Sequence, residues 1–307
     1  MESVVQSIFV LIFTVEFIMG NLGNGFIILV NYMDMINSRK ISAADHLLSA
    51  LAISRIGLLW LVFTSWCIHV FYPDFFINLV MVRVVYTTWI VTFHFNAWLA
   101  TCLSIFYCLK IANFSNSIFH YFKWRVKKVV SITLVLSFAV LFLNLLQSNI
   151  YMSILADEYK RSMSYNFSSR YLPEFSKLLF FSNIMFTFIA FALSLVIFLL
   201  IICSLWKHLK RMKHSLRESR DINISAHIKA LQAVVAFLVL YMTFFLSLLA
   251  QLWKHTFPAL IFSYTAQIAF PSVHSFVLVL GSSKLKLATL SLLRSLRCES
   301  KDAESSG

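Results

Sequence analysis

The sequence predicts an all-α membrane protein: a bundle of seven transmembrane helices with the N-terminus outside and a short amphipathic C-terminal helix. Three observations carry this. The 307-residue chain is 60% hydrophobic and only 13% charged, with 31 Phe and a mean hydropathy of +0.80, whereas soluble chains are roughly 45–50% apolar and about 25% charged. Folding in water cannot hide such a surface, because a chain this long still exposes about a quarter of its unfolded area. The apolar residues fall into seven runs, and the basic residues sort to one side of them. Six Gly and four Pro argue against a loop-rich β protein. The composition excludes a soluble enzyme, a secreted disulfide scaffold and a disordered regulator.

A helix needs about 20 apolar residues to cross the hydrocarbon core. Seven segments meet this, over roughly 7–32, 46–70, 84–109, 129–149, 178–206, 230–252 and 258–282. None alternates with period two as a barrel strand does, so each satisfies its backbone internally as a helix. The connections are short except 150–177 and 207–229. Residues 284–297 place apolar side chains at near-helical spacing among Lys and Arg, which predicts an amphipathic helix on the inner leaflet. A cytoplasmic tail, 298–307, follows. No internal repeat is visible, which disfavours an inverted-repeat transporter.

Nineteen of the 26 Lys and Arg residues lie in the loops after spans one, three and five and in the tail. Six lie on the opposite side, and Arg55 lies inside span two. The positive-inside rule then places the tail in the cytoplasm and the N-terminus outside. The net charge of +13 is thus mainly a topology signal split over four segments, and nucleic acid is not an expected partner. Met1-Glu2-Ser3 lacks a basic n-region and the apolar run after it is too long for a cleavable signal peptide, so span one is expected to act as an uncleaved signal-anchor.

Four of the five Cys lie in spans, where Cys acts as a small hydrophobe. The fifth, Cys298, follows the amphipathic segment and is a candidate for palmitoylation. Of three N-x-[ST] sequons, those at Asn113 and Asn223 fall on the cytoplasmic side, while Asn166 lies in the long outer connection. Only Asn166 is expected to carry glycan.

Polar groups at membrane depth cost energy and so carry information. Arg55 is the main one, at about 2.5–3.5 kcal/mol on insertion scales, and must face the bundle interior. Asn24, within Gly23-Asn24-Gly25 where small residues allow close helix approach, is one expected partner; His274 or Ser275 in span seven could complete the contact. This network reads either as static packing or as a two-state lock between spans one, two and seven; a proton or ion pathway would need several acidic groups at depth, and only Glu16 and Asp45 lie in or directly beside spans. In span three, Trp89 lies about 9 Å below the outer end at 1.5 Å per residue and shares a face with Phe93. An aromatic shelf with His94 and Asn96 nearby suits a small-molecule pocket; an aromatic belt with core packing is the alternative. His94 by itself reads more readily as a core residue. No HExxH, close acidic pair, metal-ligand spacing or readable nucleophile arrangement occurs, so neither an enzyme nor a cofactor is expected.

Longer motifs run from Gly20-Asn-Leu-Gly-Asn-Gly-Phe-Ile and Leu51-Ala-Ile-Ser-Arg55-Ile-Gly-Leu through Trp98-Leu-Ala-Thr-Cys-Leu-Ser-Ile-Phe-Tyr-Cys-Leu-Lys110. Leu205-Trp-Lys-His-Leu-Lys, Ala226-His-Ile-Lys-Ala-Leu and Pro271-Ser-Val-His-Ser-Phe-Val-Leu-Val-Leu-Gly follow. Through these motifs the chain, over 1–297, resembles a known family, the bitter taste receptors (taste receptor type 2) among G-protein-coupled receptors. The absences agree. Span three ends Phe106-Tyr107-Cys108-Leu109-Lys110 rather than Asp-Arg-Tyr, span seven has His274-Ser275 rather than Asn-Pro-x-x-Tyr, and 150–177 lacks the Cys that tethers this loop in rhodopsin-like receptors.

The resemblance implies a multi-pass plasma-membrane receptor that binds bitter small molecules from the outer side and activates a gustducin-type or other Gi-class heterotrimeric G protein. It makes Trp89 a ligand contact. Phe93 stands where the family commonly has Asn, which implies a more apolar pocket. Further wall residues by alignment are Trp66, Ser182, Phe186, Tyr241, Phe244, Leu248 and Tyr264, with Gln267 one turn deeper. Lys110, Lys207, His208, Lys213, His227 and Lys229 are expected around the G-protein cleft, where simple positive-inside anchoring is the competing reading. Arg220-Asp221-Ile222-Asn223-Ile224 and Ser282 also depart from the family pattern. The alternatives are another chemosensory receptor, such as a vomeronasal type 1 receptor, and a transporter.

Overall fold

A computed structural model describes residues 2–37, 42–72, 79–112, 114, 117–162, 165–213, 221–253, 257–282, 284–291, 294 and 297. Among them the secondary structure is helical: α1 (Glu2–Ile36), α2 (Ala43–Phe71), α3 (Leu79–Ile111), a short α4 (Ser117–Trp124), α5 (Val126–Ser162), α6 (Tyr165–Lys213), α7 (Asp221–Trp253) and α8 (Phe257–Gly281). A ninth, α9, covers residues 284–291. Six helices are long and apolar enough to cross a membrane, and α7 supplies a shorter apolar stretch over Val234–Ala250. With α4 and α9 on the inner side, the seven remaining helices form the bundle.

The helices end where local chemistry ends them. Ser42 caps α2: its Oγ accepts from Asp45 N at 3.2 Å while Asp45 Oδ2 accepts from Ser42 N at 3.0 Å, the reciprocal arrangement of a capping box. Several helices run past the spans expected from hydropathy. Residues 150–162 continue α5, and α6 begins at Tyr165, so the long outer connection is mostly helical backbone. For α5 the reason is packing: Met152 and Leu155 bury with Leu179 of α6 against Val82 and Tyr86 of α3. Hydropathy windows respond to lipid and miss a helix that continues above it.

One main core runs through the bundle, from Phe13 and Ile27 of α1 to Ile268, Phe270 and Val279 of α8. The large apolar side chains left outside, such as Leu11, Val135, Phe142 and Val239, are exposed because lipid is their solvent. The seam of α1 and α8 is set by small residues. A Cβ on Gly23 would meet Ser275 Oγ at 2.5 Å, and one on Gly20 would overlap Ser272 and Leu59. Gly25 meets nothing within 4 Å, so the close approach uses Gly20 and Gly23 rather than the Gly23/Gly25 pair. Ser272 Oγ also donates to the Glu16 carbonyl at 2.8 Å.

On the inner side, α9 is tied back to the bundle. Lys284 Nζ lies 2.7 Å from Asp34 Oδ2 and 3.5 Å from Asp45 Oδ1, and donates to Asn31 Oδ1 at 2.8 Å. Leu285 is buried while Leu287 and Leu290 stay exposed, the two-faced pattern of a helix lying along a membrane.

Candidate ligand-binding site

Trp89 and Phe93, one turn apart on α3, stack with centroids 4.6 Å apart and planes 14° apart. The Trp89 indole is not free to swing: Nε1 donates to Ser65 Oγ of α2 at 3.1 Å, and Ser65 is buried. Sequence reasoning missed Ser65, for no local pattern links two residues on neighbouring helices. Phe93 in turn stacks on Phe244 of α7, 5.7 Å between centroids.

The rings continue inward. Phe244 meets Phe270 of α8 at 5.4 Å, and Phe270 stacks with His274 at 5.6 Å and 20°. Tyr241 lies against both Phe244 and Phe270. The Arg55 guanidinium sits 5.3 Å over the Phe270 ring, and its Nη2 pairs with His274 Nδ1. Phe270 also escaped the sequence reading, although its position four residues before His274 puts both on one face of α8.

The structure chooses among the expected partners of Arg55. His274 bonds it directly. Asn24 spends its Nδ2 on the Gly20 carbonyl at 2.8 Å and the Pro271 carbonyl at 3.0 Å, and Ser275 donates to the Ser272 carbonyl at 2.6 Å. All four residues are buried, so they form one interhelical cluster in which only His274 touches the charge among the described bonds. Arg55 Nε and Nη1 and Asn24 Oδ1 have no partner among the described residues.

The other expected wall residues divide. Phe93, Tyr241, Phe244, Leu248 and Gln267 are buried, so in this conformation they fill the space with their own side chains. Trp66 is half-buried and packs against Phe13 and Phe63. Ser182, Phe186 and Tyr264 are half-buried on α6 and α8. His94 turns away from the Trp89 stack: its ring meets Phe95 and Trp98. A one-residue step along a helix rotates a side chain by about 100°, which separates it from Phe93. Asn96 is fully buried with both amide atoms unpartnered among the described residues.

A cavity of about 400 Å³ opens in the inner half, between α3, α6, α7 and α8, lined by Leu103, Ser104, Tyr107, Ile201, Phe237, Val277 and Lys286. His274 also lines it, so one imidazole touches the Arg55 cluster and the inner cavity. Of the expected G-protein-facing residues, Lys110 is exposed with its Nζ 6.0 Å over the Phe106 ring, and Lys207 is exposed. The side chains of His208, Lys213, His227 and Lys229 lie outside the described residues, as do that of Asn166 and the whole of Cys298.

A seven-helix bundle with an outer aromatic shelf joined by packed rings to an inner cavity defines a membrane receptor of the G-protein-coupled architecture. The profile of the family "Taste receptor protein (TAS2R)" matches residues 1–297. The chain is 46% identical over 310 residues to human (Homo sapiens) taste receptor type 2 member 14, covering 100% of this chain and 98% of that one. It is 47% identical over 309 residues to taste receptor type 2 member 140 of Rattus norvegicus, covering 99% of each. The chain belongs to the taste receptor type 2 family, the bitter taste receptors: multi-pass receptors of the plasma membrane rather than enzymes. The vomeronasal and transporter alternatives give way to this assignment.

Proposed function

We propose that this receptor binds bitter small molecules from the outer side, against Trp89, and activates a gustducin-type or other Gi-class heterotrimeric G protein through the inner cavity. The observation that supports this reading best is the run of contacting rings from Trp89 through Phe93, Phe244 and Phe270 to His274. The same imidazole lines the cavity. Packed elements of this kind are bistable rather than softly deformable, so an agonist that separates the rings at one end favours a different arrangement at the other.

The mechanism is a population shift. An agonist moves the equilibrium only by its differential affinity for the two states. In the conformation seen here Phe93 and Phe244 close on each other, and an agonist at Trp89 stabilises a state in which they part. The Arg55–His274 pair then acts as the lock between α2 and α8. The inner cavity, apolar around Leu103, Ile201 and Phe237 with Lys286 at its edge, receives the C-terminal segment of Gα. Lys110, Lys207, His208, Lys213, His227 and Lys229 are the basic residues we assign to contact with the G protein. Phe93 in place of the family's common Asn biases the outer site towards apolar agonists. Asn166 carries glycan on the outer side, and Cys298 is the palmitoylation site.

The test is Trp89→Ala in cells expressing the receptor with a promiscuous chimeric Gα. A hot-spot Trp is worth about 2 kcal/mol or more, so agonist potency falls at least about tenfold while surface expression holds. Unchanged potency across several agonists removes Trp89 from the site. For the glycan, Asn166→Gln abolishes the glycosidase-sensitive mobility shift; a shift that survives reassigns the sequon.

A further inference from the structure

The inner helix α4 and the start of α5 carry a surface that the signalling route does not use. Trp124, the last residue of α4, is 89% exposed, and Tyr121 and Phe122 beside it are exposed too. The segment is nevertheless held in place. Lys123 Nζ donates to the Ala112 carbonyl at the end of α3, 3.1 Å away. Phe119 packs edge-on to Phe114 at 5.0 Å, and Val126 is buried. The exposed rings therefore face outward from an anchored segment.

Around Trp124 stand cations without acidic neighbours. Arg125, Lys127 and Lys128 are exposed, no acidic residue lies in the first turn of α5, and the sequence holds none between Asp74 and Asp157. The Arg125 guanidinium lies 4.9 Å from the Tyr121 ring centroid, while Lys127 and Lys128 have no partner among the described residues. Three uncompensated like charges repel one another, and a bound anion relieves that repulsion.

What rises above the patch identifies the anion's source. Lys128, Ile132, Val135 and Leu136 follow at helical spacing and are all exposed, so the cations stand at the foot of a lipid-facing stripe on α5. Neither α4 nor α5 lines the inner cavity. Positive-inside topology alone accounts for the Lys residues but not for an exposed Trp among them. Indole rings favour the headgroup boundary, and clustered Lys and Arg there attract anionic lipid.

We propose that Trp124, Arg125, Lys127 and Lys128 form a binding site for the phosphate-bearing headgroup of an anionic inner-leaflet phospholipid, whose acyl chains run up the Ile132–Val135–Leu136 stripe. The indole lies at the level of the glycerol backbone, and the three cations contact phosphate oxygens. Lys123, committed to the Ala112 carbonyl, takes no part.

Native mass spectrometry of the purified full-length receptor tests this, with added phosphatidylserine or phosphatidylinositol bisphosphate against phosphatidylcholine. The wild type retains anionic lipid preferentially, and a millimolar excess of inorganic phosphate does not displace it, because the acyl stripe contributes. The triple variant R125Q/K127Q/K128Q retains one fewer anionic lipid, with affinity for the site reduced at least about tenfold. Lys123→Gln retains the lipid, and K127R/K128R retains it too, which separates charge from folding. Equal retention by the triple variant and the wild type overturns the proposal. So does complete displacement by inorganic phosphate, which makes the patch a free-anion site. A triple variant with unchanged lipid retention but weakened G-protein coupling assigns the surface to a protein partner instead, and also overturns it.

Discussion

The outer and inner halves of the bundle solve the same packing problem in opposite ways. On the outer side, Trp89, Phe93, Phe244 and Phe270 fill the space between α3, α7 and α8 with stacked rings. On the inner side the same three helices, with α6, leave a cavity of about 400 Å³. The boundary is His274, which stacks on Phe270 on one side and lines the cavity on the other. The difference teaches where conformational change is cheap. Closing an open cavity on a partner adds contacts, whereas parting stacked rings must be paid for by a ligand. On the proposed mechanism, an agonist at the outer end supplies the binding energy that parts the rings, and the inner cavity then rearranges around the Gα segment.

Several substitutions break or sharpen this contrast. The largest effect belongs to Phe93→Ala. Removing a buried ring costs about 3–5 kcal/mol in soluble cores, so the thermal midpoint of the solubilised receptor falls sharply. The matching change in the open half, Val277→Ala, costs under about 1 kcal/mol because that side chain already borders a void; equal losses at the two positions dissolve the contrast. Next comes His274→Ala, which leaves Arg55 buried without its acceptor. The penalty for a stranded charged group is about 2–3 kcal/mol or more, read as reduced surface expression and a lower midpoint. His274→Gln, which keeps an acceptor, recovers part of it. If His274→Ala costs nothing, Arg55 has another partner and the lock is not between α2 and α8.

Smaller effects sharpen the seam beside the packed half. Gly23→Ala drives a methyl towards Ser275 and costs about 1–3 kcal/mol, the usual range for overpacking. Gly25→Ala, facing open space, gains up to about 1 kcal/mol from helix propensity alone. Thermal midpoints of the two variants should move in opposite directions; movement in the same direction shows that the seam does not run through Gly23.

How much of this was legible in the sequence follows from which solvent each residue meets. The helices were readable because lipid leaves the backbone no other way to satisfy itself. The outer extension of α5 was not, because Met152 and Leu155 pack there on Leu179 of α6 and no hydropathy window registers such a cluster. Arg55 announced itself by its cost, yet three partners were open, and only the packed arrangement singles out His274. The Trp89–Phe93 face followed from helical periodicity. His94 was grouped with that face by nearness in sequence, and the helix turns it towards Trp98 instead. Ser65 and the inner cavity had no local signature, for each is made by residues from different helices.

The central claim is that agonist and G protein occupy opposite ends of one connected path. The most direct test places wild type, Trp89→Ala and Val277→Trp in lipid nanodiscs and measures agonist binding and agonist-driven nucleotide exchange on a purified Gi-class heterotrimer in parallel. Trp89→Ala should lose binding and exchange together. Val277→Trp, which fills the inner cavity, should bind agonist as the wild type does and fail to drive exchange. If Val277→Trp loses agonist binding while Trp89→Ala keeps it, the agonist sits in the inner cavity and the account is wrong.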